Sequence, residues 1–184
     1  MTIERGEAKA LLDDVDGIES RVRQLLIYSR VSDYLFLWGL IWALGFTGSY
    51  FLRDQADKLW YGLEIAGLIG TVTIVSFHRK RAESSGVLVY LRTALSVVAI
   101  VAFGTLWIAL THMGWREQVT FWPTLLSFFL FLIGLWIGRA VALAALAIFA
   151  IALIGYFVAG GYLHLWMAAA TGGAMLAGGV WLRR

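Results

Sequence analysis

Residues 140–182, AVALAALAIFAIALIGYFVAGGYLHLWMAAATGGAMLAGGVWL, carry no Lys, Arg, Asp or Glu. A helix needs about 20 apolar residues to cross a hydrocarbon core of about 30 Å, and this stretch is roughly twice that length. It reads as two spans with one turn, which falls at Gly160-Gly161. Four more charge-poor stretches precede it: Tyr34–Leu52, Leu59–Phe77, Thr93–Thr111 and Gln118–Gly138. The pattern predicts an all-α polytopic membrane bundle of six transmembrane helices built as three hairpins. The spans are placed at about 34–52, 59–77, 93–111, 119–137, 140–158 and 162–182, forming a transmembrane domain over 34–184. Residues 1–33 are expected to form a cytoplasmic amphipathic helix ahead of it.

The composition agrees. The apolar fraction is 60% and the charged fraction 15%, against roughly 45–50% and 25% in soluble domains. With most of the 184 residues in spans, a separate enzymatic domain has no room. There is no cysteine, which excludes disulfides, thiolate metal sites and cysteine nucleophiles. The first apolar run has no small-residue cleavage site behind it, so it is expected to stay in the mature protein.

The net charge of +3 comes from basic residues at span ends, not from one patch. Nucleic acid is therefore not an expected partner, and the charges are read as topology signals. With a cytoplasmic N-terminus the inner flanks hold Arg21, Arg23, Arg30, Arg79, Lys80, Arg81, Arg92, Arg139, Arg183 and Arg184. The outer loops hold only Arg53, Lys58 and Arg116. This asymmetry predicts a protein integral to the plasma (bacterial inner) membrane with both termini cytoplasmic.

Over residues 4–31, Ala8, Leu11, Val15, Ile18, Val22 and Leu25 recur at spacings of three and four, and Leu12 and Leu26 widen the stripe. That is one apolar face of a helix. Gly17 interrupts it at a cost of about 1 kcal/mol relative to Ala. Asp13, Asp14, Asp16 and Glu19 come first and Arg21, Arg23 and Arg30 follow, next to the membrane. Anionic headgroups attract the basic half and repel the acidic half. The acidic half is thus expected to pack on protein: the bundle's own inner loops, a second subunit or a cytoplasmic partner. The plainer alternative is a helix that only anchors and orients the first span.

Packing in lipid relies on close backbone approach, which small residues permit. Gly62, Ala66 and Gly70 line one face of span two, Gly134 and Gly138 form a GxxxG on span four, and span six holds Gly172-Gly173. Spans five and six, rich in Ala and Gly, are expected to pack tightly with each other or across a homodimer seam. Spans one, three and four, richer in Phe, Leu and Trp, are expected to face lipid more. Pro123 is placed in the first turn of span four, where its missing N–H breaks no helical bond. Gly172-Gly173 after Thr171 is the best candidate for a bent or broken helix. The second member of each hairpin opens on Leu59-Trp60, Phe121-Trp122 or Leu165-Trp166, a weak repeat that interfacial anchoring of Trp could also produce.

Few residues offer chemistry. Glu64 lies inside span two, about one turn (roughly 6 Å) below Trp60-Tyr61. An intramembrane carboxylate is a functional candidate, although Glu64 could also reach outer water or bond a neighbouring span. His112 and His164 fall at outer span ends and, with Glu64 and Glu117, could meet at one outer-facing ligand or proton site. His78 belongs with the inner basic cluster. No HExxH, GxSxG, P-loop or GxGxxG is present. No catalytic residue, resident metal or cofactor is assigned. The Ser and Thr residues of the spans are scattered and can bond back to their own helices.

Three readings follow. The first is a non-catalytic bundle with an N-terminal protein-interaction helix, in a regulatory or scaffolding role. The second is a small proton-coupled transporter of an apolar or weakly polar compound using Glu64. The third is a metal- or haem-dependent enzyme at the outer face. The text GGAMLAGGVWLRR at 172–184 and SDYLFLWGLIWALGF at 32–46 resembles a group of uncharacterised bacterial six-span inner-membrane proteins. That resemblance implies the fold and the compartment and no activity.

Overall fold

The computed structural model describes residues 31–81 and 87–183. Residues 4–30 of the expected N-terminal helix lie outside them. Every described element is helical, and six helices are long and apolar enough to cross a membrane. They are α1 (Val31–Phe51), α2 (Ala56–Arg81), α3 (Val87–Thr111), α4 (Trp115–Ile137), α5 (Arg139–Val158) and α6 (Gly160–Leu182). A 3-10 turn, Arg53–Gln55, joins α1 to α2. Residue Gly138 alone separates α4 from α5. The sharp turn that opens α6 uses Gly160 at φ +51°, a conformation that glycine adopts without a Cβ penalty.

The centre of the bundle is α1, not the small-residue spans alone. Its Gly45 and Gly48 receive Trp60 and Leu59 of α2, and its Trp38, Ile41 and Leu37 pack on Gly67 and Gly70. On the helical wheel the opposite side of α1 carries Ser32, Phe36, Gly39 and Ala43, which meet Gly179, Met175 and Gly172 of α6. Phe46 and Trp42 complete a buried cluster with Leu163, Met167 and Met175. This corrects the expectation that span one faces lipid. Helices α1 and α6 bury the largest share of their residues, and α2 and α3 the smallest. The reason is that α1 carries glycine notches on two faces, so its bulky residues fill helix–helix contacts.

Tryptophans seated in glycine notches recur in all three hairpins. A Cβ on Gly45 of α1 would stand 2.6 Å from the Trp60 ring, and one on Gly104 of α3 would stand 2.7 Å from the Trp122 ring. In the third hairpin Trp166 of α6 fills the same kind of notch at Gly155 of α5. The indole N–H groups are used as well. Trp60 donates to Ser49 Oγ (2.9 Å), Trp38 to Thr71 Oγ1 (3.2 Å) and Trp166 to the Ile151 carbonyl (3.0 Å). The repeated Trp at the opening of each second helix is therefore a packing residue here.

The small-residue positions divide. Gly134 is indispensable to the α4–α5 pairing, because a Cβ there would stand 2.5 Å from the Ala142 nitrogen. Gly138 instead forms the connection, in extended backbone with open space around it. Gly70 meets Leu37, and Gly172 meets the Ala43 backbone. Gly62 and Gly173 have nothing within 4 Å, and Ala66 is exposed. A small side chain permits close approach and does not itself provide a neighbour.

Two helix details also depart from expectation or sharpen it. Helix α4 starts at Trp115, so the buried Pro123 lies in its interior and not in its first turn. The Thr120 and Thr124 hydroxyls near it donate to the Arg116, Thr120 and Phe121 carbonyls, the back-bonding to a preceding turn that is open to Thr in a helix. Helix α6 widens at Ala168–Gly173 into a π-helical segment between α-helical Leu163–Met167 and Ala174–Leu182. The sequence marked this place as a bend. The helix stays continuous and changes its winding, with the fully buried Thr171 donating to the Met167 carbonyl at 2.6 Å.

Candidate functional site

Polar side chains gather at the two ends of the bundle. At the end that bears the start of α1 and the finish of α6, the buried Ser32 hydroxyl donates to the Gly179 carbonyl at 2.8 Å. The Arg183 Nε donates to Ser32 Oγ at 3.1 Å, and its guanidinium pairs with Asp33. The same guanidinium lies 4.6 Å from the centre of the Phe36 ring, within cation–π range. This clasp follows from the local sequence: Ser32 and Asp33 sit on the first turn of α1, and Arg183 follows the last turn of α6. Helix α2 continues to Arg81, so His78–Arg81 form its final turn.

The opposite end is richer. Gly114 precedes α4 without a side-chain cap, and a Cβ there would stand 2.5 Å from Glu117 Oε2. The missing side chain lets Glu117 fold back over the start of its own helix, where a carboxylate is favoured by the helix dipole. The Tyr156 hydroxyl of α5 donates to Glu117 Oε1 at 3.2 Å. Arg116 donates to the Tyr156 carbonyl at 2.6 Å. Its guanidinium carbon lies 5.4 Å from the Tyr156 ring centre and 6.0 Å from that of Trp115. The other neighbour of Trp115 is His164 of α6, stacked at 5.4 Å with ring planes 5° apart. Arg53, in the turn after α1, is close enough to act on the His164 ring electrostatically. Tyr50 of α1 stacks on Tyr162 at 6.1 Å.

The sequence-predicted residues are thus only partly brought together. His164 and Glu117 belong to this one end cluster. His112 sits on the turn just before α4, exposed and at φ +49°. Glu64 is exposed on α2, and its side chain makes no hydrogen bond or ion pair among the described residues. Among the described residues no three His, Cys, Asp or Glu side chains come close enough to hold a metal ion. A metal site of three such side chains therefore has no ligand set among them. The sequence reading noted Arg53 and Arg116 only as loop charges and passed over Trp115 and Tyr156. The available signal was that two of the three outer-loop cations flank helix starts or ends.

No family model, no curated protein sequence and no solved structure matches this chain.

Proposed function

We propose that this is a non-catalytic integral membrane protein of the bacterial plasma membrane, with both termini cytoplasmic. Its bundle holds an N-terminal protein-interaction helix in a regulatory or scaffolding role. The observation that carries the reading is the position of α1. It is packed on two opposite faces and clasped to the end of α6 through Ser32, Asp33 and Arg183. A helix packed on two faces and clasped at its start is a firm base, which supports an interaction role for the segment that precedes it. No buried side-chain polar atom among the described residues lacks a hydrogen bond, which fits a dry interior without a polar pathway.

The test is a deletion of residues 1–30 compared with the full chain in membranes. The expected result is a bundle that still inserts and purifies but loses its crosslinks to a partner or to a second copy. An unchanged crosslinking pattern overturns the proposal.

A second reading rests on Glu64, a carboxyl group within a span that has no hydrogen-bond or ion-pair partner among the described residues. Such a group favours proton exchange or contact with another subunit. Proton-coupled transport predicts that Glu64→Gln abolishes flux of an apolar or weakly polar compound. A homodimer seam along α2 predicts that it shifts the oligomer distribution.

A further inference from the structure

The geometry points to the end of the bundle bearing Arg53, Trp115, Arg116 and His164 as a binding site for a phosphate group, carried by a lipid headgroup or a soluble phosphoester. It rests on the membrane reading of the bundle but not on the role assigned to residues 1–30.

Three observations carry it. First, the cations here are unspent. Among the described residues the Arg53 and His164 side chains make no hydrogen bond or ion pair, and Arg116 uses its guanidinium on one backbone carbonyl. An Arg guanidinium offers five N–H donors in a fork that fits phosphate oxygens. Second, the carboxylates of this end leave the cations unpaired: Asp54 and Asp57, which follow Arg53 in the chain, form no ion pair with it among the described residues, and Glu117 is engaged elsewhere. Glu117 accepts from Tyr156 and covers the start of α4, so it does not neutralise Arg53 or His164. Third, the cluster is assembled from four separate parts of the chain and is held rigid. Trp115 is fixed against His164, Arg116 is tied to Tyr156, and Gln118 Nε2 pins the preceding turn through the Met113 carbonyl at 2.8 Å. Aromatic rings at this level of a bundle sit among headgroups, which brings a phosphate to the same depth.

Charge economy supports the assignment. Basic residues are scarce on the non-cytoplasmic side of membrane proteins. This chain has Arg53, Lys58 and Arg116 there under the proposed topology, and two of the three converge beside His164.

The experiment uses the full chain, delipidated in a maltoside detergent in phosphate-free buffer. The probes are glycerol 1-phosphate, dihexanoyl phosphatidylglycerol and dihexanoylglycerol, which has the same acyl chains and no phosphate. Binding is read by native mass spectrometry and by the imidazole 15N shifts of His164, assigned with His164→Gln. Saturable binding of at least one phosphate probe, with dihexanoylglycerol weaker, is expected. Binding of the soluble probe identifies a free phosphoester as sufficient. Binding of phosphatidylglycerol alone identifies a lipid. Arg53→Gln is expected to weaken it by about tenfold or more, the scale of a charged hydrogen bond. Lys58→Gln, at the same end but outside the cluster, is expected to leave it unchanged. Equal affinity for dihexanoylglycerol, equal affinity of Arg53→Gln and the unaltered chain, or no binding of either phosphate probe overturns the site. If Arg53→Gln does not purify as a folded species, the His164 shifts of the unaltered chain decide: a response to a phosphate probe supports the site, and none overturns it. Failure here leaves the deletion test of residues 1–30 untouched.

Discussion

Gly134 of α4 lies against Ala142 of α5 so closely that a Cβ at Gly134 would stand 2.5 Å from the Ala142 backbone nitrogen. Backbone cannot step aside as a side-chain tip can. Gly134→Ala is therefore expected to destabilise the bundle by about 1–3 kcal/mol, the range for overpacking. The gain in helix propensity, about 1 kcal/mol, offsets only part of this. Gly62→Ala, in open space, is expected to be neutral or slightly stabilising. Thermal unfolding of both variants in one detergent checks the contrast.

Trp60 and Ser49 form a second measurable pair. The indole N–H donates to Ser49 Oγ at 2.9 Å, and the Ser49 hydroxyl donates to the Gly45 carbonyl at 2.8 Å. Trp60→Phe retains a ring and removes the donor, for an expected loss of about 0.5–1.5 kcal/mol from the bond alone. A double-mutant cycle with Ser49→Ala is expected to return a coupling near 0.6 kcal/mol, the average for polar pairs between membrane helices. Additive effects would show that the bond contributes nothing.

The clasp at the other end separates a buried bond from an exposed one. Ser32 is fully buried, whereas the side chain of Arg183 is 56% exposed. Ser32→Ala is expected to cost about 0.5–1.5 kcal/mol whatever the salt concentration. Arg183→Gln is expected to cost less than about 1 kcal/mol, and the loss should shrink in high salt as the ion pair with Asp33 is screened. Unfolding midpoints at low and high salt read both.

The π-helical segment takes up about one residue more than α-helix turning through the same angle. Deleting the exposed Ala169 lets Ala168–Gly173 return to α-helical winding, so the residues after it keep the faces they now present to Ala43 and Phe36. That deletion is expected to leave a folded, monodisperse species. Deleting the exposed Ala177, in the regular α-helix that follows, turns the residues on its two sides by about 100° relative to each other. Gly172 and Gly179 then no longer share one face, and loss of the folded species is expected; size-exclusion profiles of the two deletions check the contrast.

The absence of cysteine makes every introduced thiol a clean reporter of topology. Lys58→Cys and His112→Cys are expected to react with an impermeant maleimide on intact cells. Glu83→Cys, in the connection between α2 and α3, should react only after permeabilisation. The reverse pattern would invert the proposed orientation.

The six spans were legible because hydropathy and length act residue by residue, without reference to neighbours. The bend at Thr171-Gly172-Gly173 was legible too, since small residues and a back-bonding hydroxyl loosen any helix locally. The central place of α1 was not. Trp38, Phe46 and Ile41 are equally at home against lipid or against another helix, so composition does not separate the two surroundings. The missed signal was Gly39, Gly45 and Gly48 interleaved with them on two faces. The end cluster was hidden for a different reason. Arg53, Arg116 and the Tyr156–His164 segment are far apart along the chain, and only the order in which helices pack brings them to one end.

The hydrogen bond from Ser32 to the Gly179 carbonyl joins residues 147 positions apart, so the first helix made depends on the last. At synthesis rates of about 5–20 residues per second, α1 waits roughly 7–30 s for that partner. During that interval its notch at Gly39 and Ala43 faces lipid or whatever assists insertion. A ribosome that stops short of α6 leaves the notch empty, and quality-control machinery has a defined feature by which to recognise the unfinished chain.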